Sequence, residues 1–190
     1  PDDAATVDAP AHVRAAVHAA APADGTEGRE AGREGAALAW LRRNAAERAA
    51  AGDPPVTVVE GDVGEPGLLG GLRGTVDVVL CNPPYVPDAT PVPPEVADHD
   101  PAAAVFGGAD GLAVIRPVAA LAAALLRPGG AVGIEHDDTH ADAVPALLTA
   151  DGRFAEIVRH RDLAGRPRFA AARRDGRLAP RDALRLPDAG

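Results

Sequence analysis

Val76-Asp77-Val78-Val79-Leu80-Cys81-Asn82-Pro83-Pro84-Tyr85 is the stretch on which the reading of the fold turns. Residues 76–81 form a short apolar run rich in β-branched valine, with one acid near its start. That pattern predicts a strand buried on both faces, as in a parallel sheet. Pro83 and Pro84 then stop the strand, because proline has no backbone N–H to donate and its φ is fixed. Asn82, directly before a proline, is pushed toward an extended or polyproline conformation. The strand therefore ends in a rigid turn that presents an amide side chain, backbone carbonyls and an aromatic ring. In open α/β sheets, ligands bind outside the carboxyl ends of the strands, so this turn is a candidate site.

Upstream of the turn, Val56-Thr57-Val58-Val59-Glu60 reads as a second strand, followed by Gly61-Asp62-Val63. Residues 36–51 place Leu38, Leu41, Ala45 and Ala49 at helical spacing, and Gly52-Asp53-Pro54-Pro55 ends that helix. Residues 66–73 predict a short, weak helix. Downstream, the segment from Pro87 to Pro101 carries five prolines and several acids, which predicts a long ordered loop or lid. His99 lies in it, and a lone loop histidine is given no catalytic role. Residues 112–126 form a clear helical pattern, with Pro117 kinking it or lying in its first turn. Arg127-Pro128-Gly129-Gly130 ends that helix, and 131–135 is the next strand. A helix at 141–150 follows, then strands at 154–159 and 167–173, expected as an antiparallel pair at the sheet edge. A βαβ series with a closing hairpin predicts an α/β fold. Residues 56–60, 76–81 and 131–135 are expected as adjacent parallel strands, with Asp62, Asn82 and Glu135 on one rim.

The ends of the chain are less informative. Residues 1–36 hold no strong strand signal; 13–21 fits a short helix, and 24–35 reads as a charged, glycine-punctuated loop or disordered segment. Residues 175–190 read as a flexible tail. The expected organisation is an atypical segment at 1–35, one domain at 36–174, and the tail.

The 190 residues suffice for one well-formed core. All 19 basic residues are arginine, and there are 21 Gly and 19 Pro, so arginine number says more about compositional bias than about chemistry. The net charge of −9 disfavours a nucleic-acid backbone as the main partner. The lone Cys81 fits a reducing cytoplasm. No apolar run approaches the roughly 20 residues that span a bilayer. Glu135-His136-Asp137-Asp138 has metal-binding residue types, but consecutive residues cannot all converge on one ion, and no metal is expected. No Ser-His-Asp set, paired catalytic carboxylates or phosphate-binding loop competes.

Asn82-Pro83-Pro84-Tyr85 after an apolar strand resembles the substrate motif of S-adenosylmethionine-dependent amino-methyltransferases. Further stretches are similar to the protein-(glutamine-N5) methyltransferases that modify peptide chain release factors. These are 95–101 (Glu-Val-Ala-Asp-His-Asp-Pro), 106–112 (Phe-Gly-Gly-Ala-Asp-Gly-Leu), 126–130, Glu135-His136, and 161–169 (Arg-Asp-Leu-Ala-Gly-Arg-Pro-Arg-Phe). The resemblance runs from about Ala37 to Arg174. It implies a Rossmann-like class I S-adenosylmethionine-dependent methyltransferase sheet, S-adenosylmethionine as cofactor, and methylation of the glutamine of a release-factor Gly-Gly-Gln loop. It implies release factors as partners; the charge and the short apolar runs add the expectation of neither membrane nor direct nucleic-acid contact. Asn82 and Pro83 would accept the two N–H groups of the target amide, Tyr85 would wall the pocket, and Pro84 would stiffen the turn. Asp62 would accept from the adenine amino group of the cofactor, which Asn82 also faces; the other reading of Asp62 is a turn residue bonding its own backbone.

The chain departs from that family at one place. A first strand and a glycine-rich turn that would cradle the cofactor are absent from 1–36, and Gly32 stands near where an acid would hold the ribose. Weak or no binding of S-adenosylmethionine is expected from this. Two alternatives stand beside the main reading: a nucleic-acid amino-methyltransferase using the same motif, and a truncated, inactive remnant.

Overall fold

The computed structural model describes residues 15–17 and 27–176. Its elements run β1 (Ala15–Val17), α1 (Glu27–Ala50), β2 (Thr57–Val59), β3 (Val76–Cys81), α2 (Pro94–His99), α3 (Ala102–Val105), α4 (Ile115–Leu125), β4 (Leu126–Glu135), α5 (Ala143–Asp151), β5 (Phe154–Arg161) and β6 (Pro167–Arg174). The strands make a two-stranded sheet β1-β2 and a four-stranded sheet ordered β3-β4-β6-β5. The expected α/β class and the closing antiparallel hairpin are both present.

β3 and β4 pair in parallel, with Cys81 opposite Ile134. Val76 already pairs with Leu126, while Val78 pairs with Ala131. The intervening Pro128 cannot donate to the ladder, and Gly130 lies against the carbonyls of Val76 and Asp77, where a Cβ would come within 3.0 Å of each. The strand therefore starts at 126 and bulges, rather than starting at 131 after a helix end. Pro117 sits in the first turn of α4, where its missing N–H is harmless.

The core lies on one face of this sheet. Ile115, Val118, Ala119, Ala122 and Leu125 of α4, with Val144 and Leu148 of α5, pack on Val132, Ile134, Ala170 and Ala172. The opposite face carries the row Leu80, Gly133, Ala171 and Val158, as the register dictates. Leu80 is 80% exposed and Val78 54%. The expectation that 76–81 is buried on both faces is thus corrected: β3 is an edge strand covered on one side.

Three further expectations are corrected. The strand at 56–60 is not a neighbour of 76–81; β2 pairs in parallel with β1, Ala15 opposite Thr57, in the other sheet. Residues 15–17, inside the expected helix at 13–21, are that partner strand; the rest of that segment lies outside the described residues. The loop expected at 24–35 is helical from Glu27, in one continuous α1. Its glutamate, arginine and alanine content favours helix, at a cost of about 1 kcal/mol for each glycine. Residues 66–73 form turns and one 3₁₀ turn, Gly70–Leu72, as glycine at 67, 70 and 71 predisposes them to do. The tail expected at 175–190 falls, beyond Gly176, outside the described residues.

The segment after the proline turn is ordered, and it holds the short helix α2 where a plain loop is expected. It returns to the turn through backbone pairing. Val86 N–H donates to Val105 O at 3.1 Å, Gly107 N–H to Val86 O at 2.9 Å, and Asp88 N–H to Gly108 O at 3.2 Å. A Cβ on Gly107 would stand 2.6 Å from the Pro84 carbonyl oxygen and 2.7 Å from that of Gly111. Only glycine permits that approach, so 106–108 clamps the proline turn.

Two outcomes follow from this packing. Gly107→Ala must push the Pro84 carbonyl aside, and urea denaturation should show a loss of about 1–3 kcal/mol. Burial pushes the Cys81 thiol up from 9.0 to about 11. At a pH of about 8, iodoacetamide should therefore modify Cys81 roughly 10²-fold more slowly in the native protein than in the unfolded chain.

Candidate functional site

β3 ends at Cys81, and the next four residues leave the sheet as the proline turn. Pro83 and Pro84 are buried, while Asn82 is exposed at the mouth of a depression of about 180 Å³. Asn82, Pro83, Pro84, Tyr85 and Val86 line it on one side and Ala104 and Val105 on the other. The lid-side residues thus come from α3, the helix that pairing with Val86 brings back to the turn. Among the described residues, neither the Asn82 amide nor the Pro83 carbonyl bonds to another protein group. Both remain uncommitted acceptors on a proline-restricted turn.

Tyr85 is half-buried, and its hydroxyl donates to Glu135 Oε1 at 3.0 Å. Arg168 Nη1 donates to the same hydroxyl at 3.5 Å. Burial, reinforced by the hydrogen bond to Glu135 and its negative charge, pushes the phenol above its usual range; the Arg168 guanidinium pulls the other way. The ring is held at the carboxyl end of β4, one residue beyond Ile134, which pairs with Cys81.

The residues around Glu135 scatter rather than converge. His136 is 1% exposed; its Nδ1 lies 2.8 Å from the Asp137 carbonyl, which can only accept, so Nδ1 carries the proton. Asp137 Oδ1 accepts from Thr139 N–H at 3.0 Å and from Thr139 Oγ1 at 2.6 Å, capping the 3₁₀ turn Asp138–His140. His140 Nε2 donates to the Asp110 carbonyl at 2.9 Å. Among the described residues no group of histidine, cysteine or acid side chains could hold a metal ion. His99 is exposed on α2, away from the turn's lining.

Asp62 follows β2, in the other sheet, and is not part of the lining of the Asn82 depression. Its Oδ1 accepts from Gly64 N–H at 2.7 Å, the local turn bond that sequence reasoning set beside a cofactor role. The geometry brings together Asn82, Pro83, Pro84 and Tyr85, and leaves Asp62 apart from them. Sequence reasoning missed Arg168 as a neighbour of the turn. The Tyr85–Arg168 contact spans 83 positions, beyond any local pattern. Gly107 carried a signal, a glycine pair after Phe106, but not which carbonyl it would meet.

No family model matches the chain. Over 142 residues it is 50% identical to the release factor glutamine methyltransferase of Mycolicibacterium smegmatis, covering 75% of this chain and 48% of that protein. With the release factor glutamine methyltransferase of Corynebacterium glutamicum it shares 48% over 138 residues, 73% of this chain and 48% of the other. It is 40% identical over 122 residues to a 4-amino-L-phenylalanine/4-methylamino-L-phenylalanine methyltransferase of Streptomyces pristinaespiralis, covering 64% and 41% of the two. Among solved structures, the release-factor-specific protein-(glutamine-N5) methyltransferase of Alicyclobacillus acidocaldarius aligns over 64% of this chain and 68% of its own. Identity there is 24% and the TM-score is 0.37. The chain spans about half the length of the curated relatives it matches, and over that half its sequence is similar to release factor glutamine methyltransferases.

Proposed function

We propose that this chain carries the acceptor site of an S-adenosylmethionine-dependent methyltransferase acting on the glutamine side chain of a release-factor Gly-Gly-Gln loop. The observation that carries the reading is the pair of uncommitted acceptors, the Asn82 side chain and the Pro83 carbonyl, on a proline-stiffened turn. A primary amide has two N–H groups, and its nitrogen is a poor nucleophile because the lone pair is delocalised into the carbonyl. Bonds from both N–H groups to Asn82 and Pro83 would orient the nitrogen and favour pyramidalisation. Acceptors fixed beforehand need no reorganisation when the reaction occurs. Tyr85 would pack on the planar amide, with Ala104 and Val105 closing the opposite wall. The methyltransferase segment is assigned to 36–174, and a reducing cytoplasmic setting suits the single Cys81. Among the described residues no helix is long and apolar enough to cross a membrane.

The donor half fits less well. S-adenosylmethionine would supply an activated methyl group, with Asn82 and Asp62 as this chain's residues proposed to face it. Near where the resembled family carries the acid that holds the cofactor ribose, residues 27–50 are a continuous helix with Gly32 inside it. The Asp62 carboxylate is already engaged by Gly64. Among the described residues, none therefore makes a cradle for this cofactor. Calorimetric titration with S-adenosylmethionine should give no saturation in the micromolar range; a micromolar isotherm would show that another segment builds the donor site.

The substrate assay offers the chain a release factor and an adenine-containing oligonucleotide together, with labelled S-adenosylmethionine in large excess. Label on the release-factor glutamine is expected. Asn82→Ala should lower the rate on the order of 10²-fold, the usual loss for one positioned acceptor or donor, without altering heat-denaturation behaviour by more than a fraction of a kcal/mol, because Asn82 is exposed. Label in the oligonucleotide alone would replace this reading with the nucleic-acid one. Folded protein that labels neither would identify an inactive remnant.

A further inference from the structure

Tyr85 is the one member of the proline turn whose side chain is tied to distant elements. Its hydroxyl has one proton to give and lone pairs to accept with. Glu135 Oε1, at the end of β4, takes the proton at 3.0 Å. Arg168 Nη1, at the start of β6, approaches the lone pairs at 3.5 Å. These two partners are themselves fixed. Glu135 lies in the β4–β6 ladder opposite Phe169, the residue after Arg168. The His136 N–H donates to the Arg168 carbonyl at 2.9 Å, so the Arg168 backbone is bonded to the residue following Glu135. The Arg168 guanidinium stands 3.8 Å from Asp162 Oδ2, and that carboxylate also accepts from Ala164 and Arg166 N–H at 2.9 Å each across the β5–β6 turn. Acid, phenol, guanidinium and acid thus alternate from the end of β4 to the hairpin turn.

We propose that Glu135 and Arg168 are positioning residues for the candidate site, holding the Tyr85 ring in one orientation so that a wall of the Asn82 depression exists before any substrate arrives. Neither residue lines that depression. Both act through the phenol, and a wall locked by packing and hydrogen bonds costs no reordering on binding. The role of that wall in methyl transfer rests on the function proposed above; the bracing of the ring does not.

The chain has a single tyrosine, so the test can observe Tyr85 alone. With 3-fluorotyrosine incorporated, the protein should give one fluorine resonance, whose pH titration reads the phenol directly. The fluorine also lowers the phenol's pKa, which brings the titration into a range the fold tolerates. Glu135→Gln removes a negative charge beside the phenol, so the titration midpoint should fall. Arg168→Gln removes the positive charge that favours phenolate, so the midpoint should rise. Mere loosening of the structure would move both variants the same way, toward solvent. Midpoints that move together, or do not move, would overturn the inference. In the release-factor assay, each variant should lose on the order of 10-fold in kcat/KM. In a Tyr85→Phe background neither should lose more, because their route to the site is gone. Additive losses would also overturn the inference. Opposite titration shifts in a chain that methylates no release factor would leave the brace standing and remove only the functional reading.

Discussion

The parallel register that sets Cys81 opposite Ile134 governs everything above the rim of the four-stranded sheet. Once that pair is fixed, the proline turn leaves β3 at the level where Glu135 leaves β4. The same level of β6 brings Arg168, because Glu135 faces Phe169. A slip of one residue would turn the side chains of β3 to the opposite face. Val79 would leave its place against the core, and Tyr85 would lose its carboxylate partner. The bulge at Pro128–Gly130 guards against this slip, since a side chain at Gly130 would crowd the Val76 and Asp77 carbonyls. The site's geometry therefore originates in a β4 irregularity at the far end of the strand.

How much of this was legible depended on range. The turn at 82–85, α4, the strands of the hairpin and their antiparallel pairing were readable because proline restriction, helical periodicity and alternation act over a few residues. Pro117 in the first turn of α4 was readable for the same reason. What failed needed knowledge of partners. A valine-rich run is apolar whether it lies at the centre of a sheet or at its edge, so 76–81 read as doubly buried although Leu80 and Val78 are exposed. Nothing in 15–17 distinguishes three residues that pair with β2 from three in a weak helix. Glycine at 28, 32 and 35 argued for a loop, yet the surrounding helix formers prevail in α1. Asn82, Pro83, Pro84 and Tyr85, consecutive in the chain, line one depression, whereas the Tyr85–Arg168 contact spans 83 positions and leaves no local pattern.

The clamp at Gly107 and the brace at Tyr85 divide the work of holding the turn. Gly107 sets the backbone: its approach to the Pro84 carbonyl and its N–H bond to Val86 hold the turn's exit. Glu135 and Arg168 set a side chain. Asn82 receives neither kind of support among the described residues, and its orientation is left to the proline after it. That leaves the Asn82 side chain open to a partner from outside the described residues. A side chain already satisfied by the protein would have to break a bond before it could accept another.

The one-sided burial of the sheet bears on where further stabilisation must come from. α4 and α5 cover one face, and the row Leu80, Gly133, Ala171 and Val158 leaves apolar surface on the other. Exposed area of that kind contributes nothing to folding until it is removed from water, at roughly 25 cal/mol for each Å² buried. Among the described residues β3 is the edge strand, beside Leu80, which is the setting in which sheets recruit further strands. The acceptor turn is supported from the covered side, by the register with β4, and from the lid segment. The turn is therefore held by elements that do not depend on the open face.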